Sequence, residues 1–98
     1  MKRKFRQTSS DGRYFIEVFY EAKGKKIRFT FHAQSVKDPN DFIRLCSPHH
    51  GKKVYLHIGR DEESETVFKD LSYGSLLRFF RREFKTHFGG EVWNKFEM

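Results

Sequence analysis

Five histidines are the side chains of this sequence best suited to acid–base or metal chemistry near neutral pH. His49 and His50 are adjacent, and together with His57 and Asp61 they have the donor types of a metal site. Metal ligands must converge on one point, however, whereas adjacent side chains in a loop diverge. A single cysteine, Cys46, offers no thiolate pair. We therefore expect no bound metal, and the absence of a glycine-rich phosphate loop predicts no other cofactor.

A metal-independent ribonuclease is a second arrangement to consider. Such an enzyme needs a histidine general base, a second acid and a cation that holds the phosphate. His32, His57 and Arg28 have these types, and they fall in segments predicted below to share one face of a sheet. Surface histidines in a basic protein are the simpler interpretation. We therefore expect a protein that is not an enzyme, and ribonuclease activity is the third alternative.

Cations and aromatic rings are the more abundant functional side chains. The 98 residues contain 20 Lys and Arg against 13 Asp and Glu, a net charge of +7, and 12 are Phe. A positive excess in one small domain favours polyanion partners, and rings provide flat surfaces on which bases stack. The cations fall into three clusters along the chain: Lys2, Arg3, Lys4 and Arg6; Lys23, Lys25, Lys26 and Arg28; and Arg78, Arg81, Arg82 and Lys85.

Two segments whose side chains alternate in character contain the first aromatic rings of the chain's candidate binding surface. Residues 13–20 and 27–33 alternate in side-chain character, which predicts two β-strands, and Gly24 between them suits a hairpin turn. Residues 53–58 predict a third strand, and residues 65–69 a short fourth one.

The rest of the chain predicts helices and an arm. Asp38 and Pro39 suit the first turn of a brief helix over residues 38–45. Apolar residues recur three and four apart over residues 72–88, which predicts a long amphipathic helix, and the tail after it can add one more turn. Residues 1–10 are expected to be a basic flexible arm preceding a single domain over residues 11–98. The fold class is α+β: a four-stranded antiparallel sheet with one long C-terminal helix on one face, in the order β-β-short α-β-β-α.

One helix covers only one face of such a sheet, so the other face is expected to stay open. The pleat determines which side chains point away from the helix: Arg13, Phe15, Glu17, Phe19, Lys26, Arg28, Thr30, His32, Lys53, Tyr55 and His57. Rings interleaved with cations predict a surface that binds single-stranded DNA or RNA, with the N-terminal and helical cations as further contacts. Alternatively, Phe15 and Phe19 are covered by the tail or by residues 34–51, or they form a homodimer interface.

Residues 13–18, Arg-Tyr-Phe-Ile-Glu-Val, and residues 22–28, Ala-Lys-Gly-Lys-Lys-Ile-Arg, resemble the first hairpin of a repeat in the Pur family of single-strand DNA- and RNA-binding proteins. The order of four strands followed by a helix is also similar to that of the Whirly family. The resemblance covers about sixteen residues. It implies a single-strand binder that uses its sheet face and dimerises. The connection over residues 34–52 departs from the pattern.

A protein-binding regulator or inhibitor, of the kind that phages and mobile elements encode to act on a host factor, is the alternative function. Salt distinguishes the two, because phosphate binding weakens steeply with ionic strength and an aromatic protein interface does not. The sequence has neither an apolar run long enough to span a membrane nor the pattern of a signal peptide. We therefore expect no membrane partner and an intracellular location, cytoplasmic, or nuclear in a eukaryote.

Overall fold

The computed structural model describes residues 2–24, 26–47, 53–59, 62–68 and 71–96, without the side chains of residues 2, 3, 26 and 62. These residues form six strands and two helices. In chain order they are β1 (Lys2–Thr8), β2 (Tyr14–Lys23), β3 (Lys26–Ser35), β4 (Phe42–Cys46), β5 (Lys53–Ile58), β6 (Glu62–Val67), α1 (Tyr73–Phe88) and α2 (Gly90–Trp93).

The strands form one antiparallel sheet in which each pairs with its neighbours in the chain, in the order β1-β2-β3-β4-β5-β6. The α+β class and the long C-terminal helix on the sheet are confirmed. The predicted number of four strands is wrong, because six precede the helix. The predicted hairpin is the β2–β3 pair, with Phe15 opposite Gln34 and Phe19 opposite Thr30. Gly24 takes a positive φ of 62° in its turn.

The predicted flexible arm is instead the first strand. Residues 2–8 pair with β2 along their whole length, from Lys2 opposite Glu21 to Thr8 opposite Phe15. The alternation is hidden in the sequence because cations occupy successive positions in this strand. Solvent reaches both faces of an edge strand, and a long cationic side chain is tolerated on either.

The predicted helix over residues 38–45 is also wrong. The Asp38 carboxylate accepts a hydrogen bond from the Asn40 backbone N–H at 3.1 Å, so it closes a turn rather than capping a helix. Residues 42–46 then form β4 between β3 and β5. Ile43 and Leu45 are fully buried, and this burial of alternate residues is the pattern of a strand. The pairing of β4 with β3 and β5 outweighs the local helix signals. The fourth predicted strand is observed as β6, which begins earlier, at Glu62.

Helix α1 confirms the prediction over residues 72–88. Its N-cap is Ser72, whose hydroxyl accepts a hydrogen bond from the Ser75 backbone N–H at 3.2 Å. The predicted extra turn of the tail is α2. Trp93 and Phe96 pack on Phe84, with ring centroids 5.1 and 5.8 Å apart, on the helix side of the sheet. Neither described helix has the length and apolar character needed to cross a membrane.

Candidate functional site on the open sheet face

The face of the sheet opposite α1, here called the open face, carries two rows of side chains that run across all six strands. Its orientation follows from the core, because Ile16, Phe31 and Leu56 point toward the helix and their neighbours point away. Cross-strand register defines the first row as Arg6, Glu17, His32, Arg44, His57 and Glu63. The second row is Lys4, Phe19, Thr30, Cys46, Tyr55 and Glu65.

Phe15 lies beside the first row and is half-buried. The Arg6 guanidinium carbon lies over the Phe15 ring, 4.2 Å from its centroid. The His32 ring meets Phe15 edge-on at 5.9 Å, and Phe42 meets His32 at 6.2 Å. The cation–π contact places the charge of Arg6 over the Phe15 ring.

Phe19, in the second row, lines a depression of the open face. Its ring lies under the Lys4 ammonium, 5.2 Å from the centroid. The depression, of about 210 Å³, is bounded by Phe19, Glu21, Arg28 and Thr30. The lining has one cation, Arg28, and one acid, Glu21, and Lys4 lies above the ring. The ring and the two cations suit a flat ligand that carries negative charge.

Glu17 is a nearly buried acid in the middle of these rings, and 8% of its surface is exposed. The Lys4 Nζ lies 2.6 Å from a Glu17 carboxylate oxygen. Burial lowers the pKa of the neighbouring His32 from its usual value, and the charge of Arg44 lowers it further while that of Glu17 opposes both. His32 is therefore a neutral ring at pH 7, available for packing rather than for charge.

The β5–β6 end of the open face is different in charge. Lys53 and His57 pair with the acids of β6: Lys53 Nζ lies 3.3 Å from Glu65, and His57 Nε2 lies 3.8 Å from Glu63. The predicted open-face set contains one acid, Glu17, and this is wrong, because Glu21, Glu63 and Glu65 also lie on this face. Lys4, Arg6, Arg28 and Arg44 lie over β1–β4 together with Glu17 and Glu21, whereas β6 adds two acids and no cation.

The structure brings together only part of the predicted contact set. Phe15, Phe19, Arg28, His32, Lys53, Tyr55 and His57 lie on the open face with Lys4 and Arg6 from β1. Arg13 precedes β2 in an exposed turn rather than lying in the strand. Lys2, Arg3 and Lys26 are placed by their backbones alone, in β1 and β3.

The cations of α1 lie on the other side of the molecule. Arg81 lies over Trp93, with its guanidinium carbon 5.5 Å from the ring centroid, and Arg82 lies over Phe79 at 5.0 Å. Arg78 donates a weak hydrogen bond of 3.4 Å to the Ser75 hydroxyl, and Lys85 is exposed. The sheet separates this basic side from the open face, so the two do not form one site.

Sequence reasoning missed the contribution of β4. Phe42, Arg44 and Cys46 point to the open face between β3 and β5. The signal was their alternation with Ile43 and Leu45, which a helix assignment concealed.

The three residues of the ribonuclease alternative share the open face without converging. Arg44 lies between His32 and His57 in their row, so the two histidines are two strand spacings, roughly 10 Å, apart. Arg28 is four residues along β3 from His32, roughly 13 Å away. His49, His50 and Asp61 lie outside the described residues. Within the described ranges, no three His, Cys, Asp or Glu side chains are grouped to hold a metal ion.

No protein family model matches the chain, and comparison with curated proteins and with solved structures gives no match. The class that the geometry defines is an open-faced, six-stranded antiparallel sheet backed by one amphipathic helix. The side chains of the open face are therefore the features from which a function can be inferred.

Proposed function

We propose that this protein binds single-stranded DNA or RNA on the open face. The observation that carries the proposal is the pairing of rings with cations there: Arg6 lies over Phe15, and Lys4 lies over Phe19. Single-strand binders combine stacking platforms for bases with cations that follow the phosphates. The tail packs on the helix side of the sheet, so it does not cover these rings.

Each ring–cation pair contributes in its own way. In the depression beside Phe19, a base stacks on the ring while Lys4 and Arg28 contact the flanking phosphates. The Arg6 guanidinium lies over Phe15, and it offers a second planar group, since bases also stack on arginine. The neutral His32 extends this surface without adding charge.

The test is a single substitution with a matched control. Phe19→Ala removes a ring of the open face, whereas Phe5→Ala removes one that is 53% exposed on the helix side of β1. Affinity for a fluorescein-labelled oligothymidine and oligouridine is measured by anisotropy, with melting curves for both variants. We expect Phe19→Ala to weaken binding about tenfold or more. Equal affinities of the two variants, or no binding by the wild type, would refute the proposal.

Protein binding is the second candidate, and a separate surface favours it. On the helix side, the Phe29 ring contacts those of Tyr20 and Tyr73 in tilted arrangements, with centroids 5.1 and 5.2 Å away. Ile27 and Tyr73 are more than 40% exposed. Contiguous exposed apolar surface of this kind is typical of interaction sites. The affinity for a protein partner bound there should depend little on salt, and binding should be lost in the Ile27→Ser variant. Nucleic-acid binding on the open face should respond strongly to salt and be unaffected by that change.

A further inference from the structure

The two edges of the sheet carry opposite charge. β1 spans residues 2–8 and contains four cations and no acid, while β6 spans residues 62–67 and contains three acids and no cation. Among the described residues, β1 pairs only with β2 and β6 only with β5, and no other element packs on either. Each edge therefore presents a row of backbone N–H and C=O groups beside a single sign of charge.

We infer that the β1 edge of one molecule pairs with the β6 edge of a second copy, in a head-to-tail assembly that continues the sheet. An exposed edge is a template for an additional strand, and opposite charges directly across such a pair stabilise it. Like charges oppose the symmetric alternatives, in which β1 meets β1 or β6 meets β6. Charge complementarity thus selects a second copy as the occupant and excludes a two-fold dimer through these edges.

The direction of the strands permits this join. In a six-stranded antiparallel meander, β1 and β6 run in opposite directions, so a translated copy places β6 antiparallel to β1. Lys4 and Arg6 point to the open face of β1, and Glu63 and Glu65 to the open face of β6. Matching faces therefore bring two cations against two acids.

The edge charges already have partners within the molecule, and the join adds to these pairs rather than replacing them. Lys4 contacts Glu17 on one side and would meet an acid of the second copy on the other. Glu65 contacts Lys53 in the same way. The rows of the open face thus continue across the boundary with cations and acids next to each other.

A head-to-tail contact leaves one free edge at each end, so it builds rings or filaments rather than a closed dimer. Successive open faces then lie side by side in one surface. If the proposed function holds, this predicts cooperative binding along a single strand. The assembly itself does not depend on that function, and it is tested without nucleic acid.

The first test is sedimentation velocity at low and high salt over a range of concentrations. Wild-type protein should form dimers, trimers and larger species at low salt and dissociate at high salt. Glu63→Lys with Glu65→Lys should weaken association about tenfold or more. The control, Glu83→Lys with Glu91→Lys, changes the net charge equally away from both edges and should associate like the wild type. A wild type that stays monomeric to about 1 mM at low salt, or a control that loses association equally, would overturn the inference.

A second test uses complementary edges. Lys4→Glu with Arg6→Glu makes the joining positions of both edges, residues 4 and 6 and residues 63 and 65, acidic, whereas Glu63→Lys with Glu65→Lys makes all four basic. Each variant alone should be monomeric, and an equimolar mixture should associate again, because each edge then finds an opposite charge. Two monomeric variants that fold but do not associate when mixed would contradict the inference.

Crosslinking tests the same contact without reversing the charge of β1, since Lys4→Glu with Arg6→Glu removes the cation that pairs with Glu17 and can prevent folding. In a Cys46→Ser background, Phe5→Cys lies on the helix side of β1, and Ser64→Cys lies on the same side of β6. A bismaleimide should crosslink a mixture of the two single variants as heterodimers and should build a ladder from the double variant. Dimers formed by either single variant alone would indicate a symmetric edge contact and refute the head-to-tail arrangement.

Discussion

Lys4 and Glu17 form an ion pair in which the two partners differ in exposure. The Lys4 side chain is 51% exposed and that of Glu17 only 10%, with 2.6 Å between the ammonium and the carboxylate. The pair links the edge strand β1 to β2, and Lys4 provides the cation that balances the charge of a nearly buried acid. It therefore positions both the first strand and the cation that covers Phe19.

Removing this cation should destabilise the fold. Lys4→Met leaves a buried carboxylate without its cation, and we expect the free energy of unfolding to fall by about 1–3 kcal/mol. Urea denaturation measures it. The control is Lys53→Met, whose partner Glu65 is 44% exposed, and this change should cost less than about 0.5 kcal/mol. Equal losses would mean that the burial of Glu17 has no energetic consequence.

Phe84 should be among the most costly rings to remove. It is fully buried and contacts Phe80, Phe88, Trp93 and Phe96. Phe84→Ala should lower the free energy of unfolding by about 3–5 kcal/mol, which leaves a domain of this size largely unfolded. Phe29→Ala should cost about half as much, because Phe29 is only half-buried. Thermal melts check the order, and a native-like Phe84→Ala melt would contradict the assigned core.

The stability of the protein should depend on His32 below neutral pH. Burial lowers the pKa of His32 in the folded state, so between its folded and unfolded values the unfolded chain binds a proton that the folded one does not. Stability from this group is present above about pH 6.5 and decreases as the pH falls below it. Unfolding free energies at pH 7.5 and pH 5 should differ more for the wild type than for His32→Asn. An equal difference would exclude His32 as the cause.

The contact between Asp11 and Lys95 should hold the tail to the first turn. Lys95 Nζ lies 2.8 Å from the Asp11 carboxylate. The hydrogen bonds that this carboxylate accepts from Lys95 and Ser9 hold the pKa of Asp11 well below its usual value. A lowered pKa means that this stabilisation is present above the usual carboxyl value of about 3.8 and is lost as the pH falls through the lower, folded value.

Trp93 is the single tryptophan, and it is a buried residue of the tail, so its fluorescence reports on the position of the tail. Lys95→Met should shift the emission of Trp93 to the red at neutral pH and reduce its change on acidification between about pH 4 and pH 2. Lys85→Met, which removes a cation from the exposed side of α1, serves as the control. Identical pH profiles for the two variants would show that the ion pair does not restrain the tail.

The basic side of α1 should add affinity without selectivity. Arg81→Glu with Arg82→Glu should weaken binding to single and double strands by a similar factor and reduce the salt dependence of the affinity. The reason is that the rings beside these cations, Trp93 and Phe79, are covered by them and do not stack on bases. Arg28→Glu with Lys53→Glu, on the open face, should weaken single-strand binding more than duplex binding. A loss confined to duplex DNA in the first variant would make α1 the recognition element.

The sequence by itself determined the elements whose signals are local. The β2–β3 hairpin follows from a period of two and a glycine turn, and α1 follows from apolar spacing of three and four. The assignment of Phe15 and Phe19 to the face away from the helix also follows from period alone, because one register of the pleat decides it for a whole strand.

Only the tertiary structure decided what β1 and β4 are. The cations of residues 2–6 read as a solvated arm, and Asp38-Pro39 reads as a helix start, yet both segments become strands because neighbouring strands complete their backbone hydrogen bonds. The composition of the open face depends on these pairings, since they bring Lys4 onto Glu17 and Phe19 and place Arg44 between two histidines. The pairing of two strands has no signature in either segment alone, because register is a property of the pair.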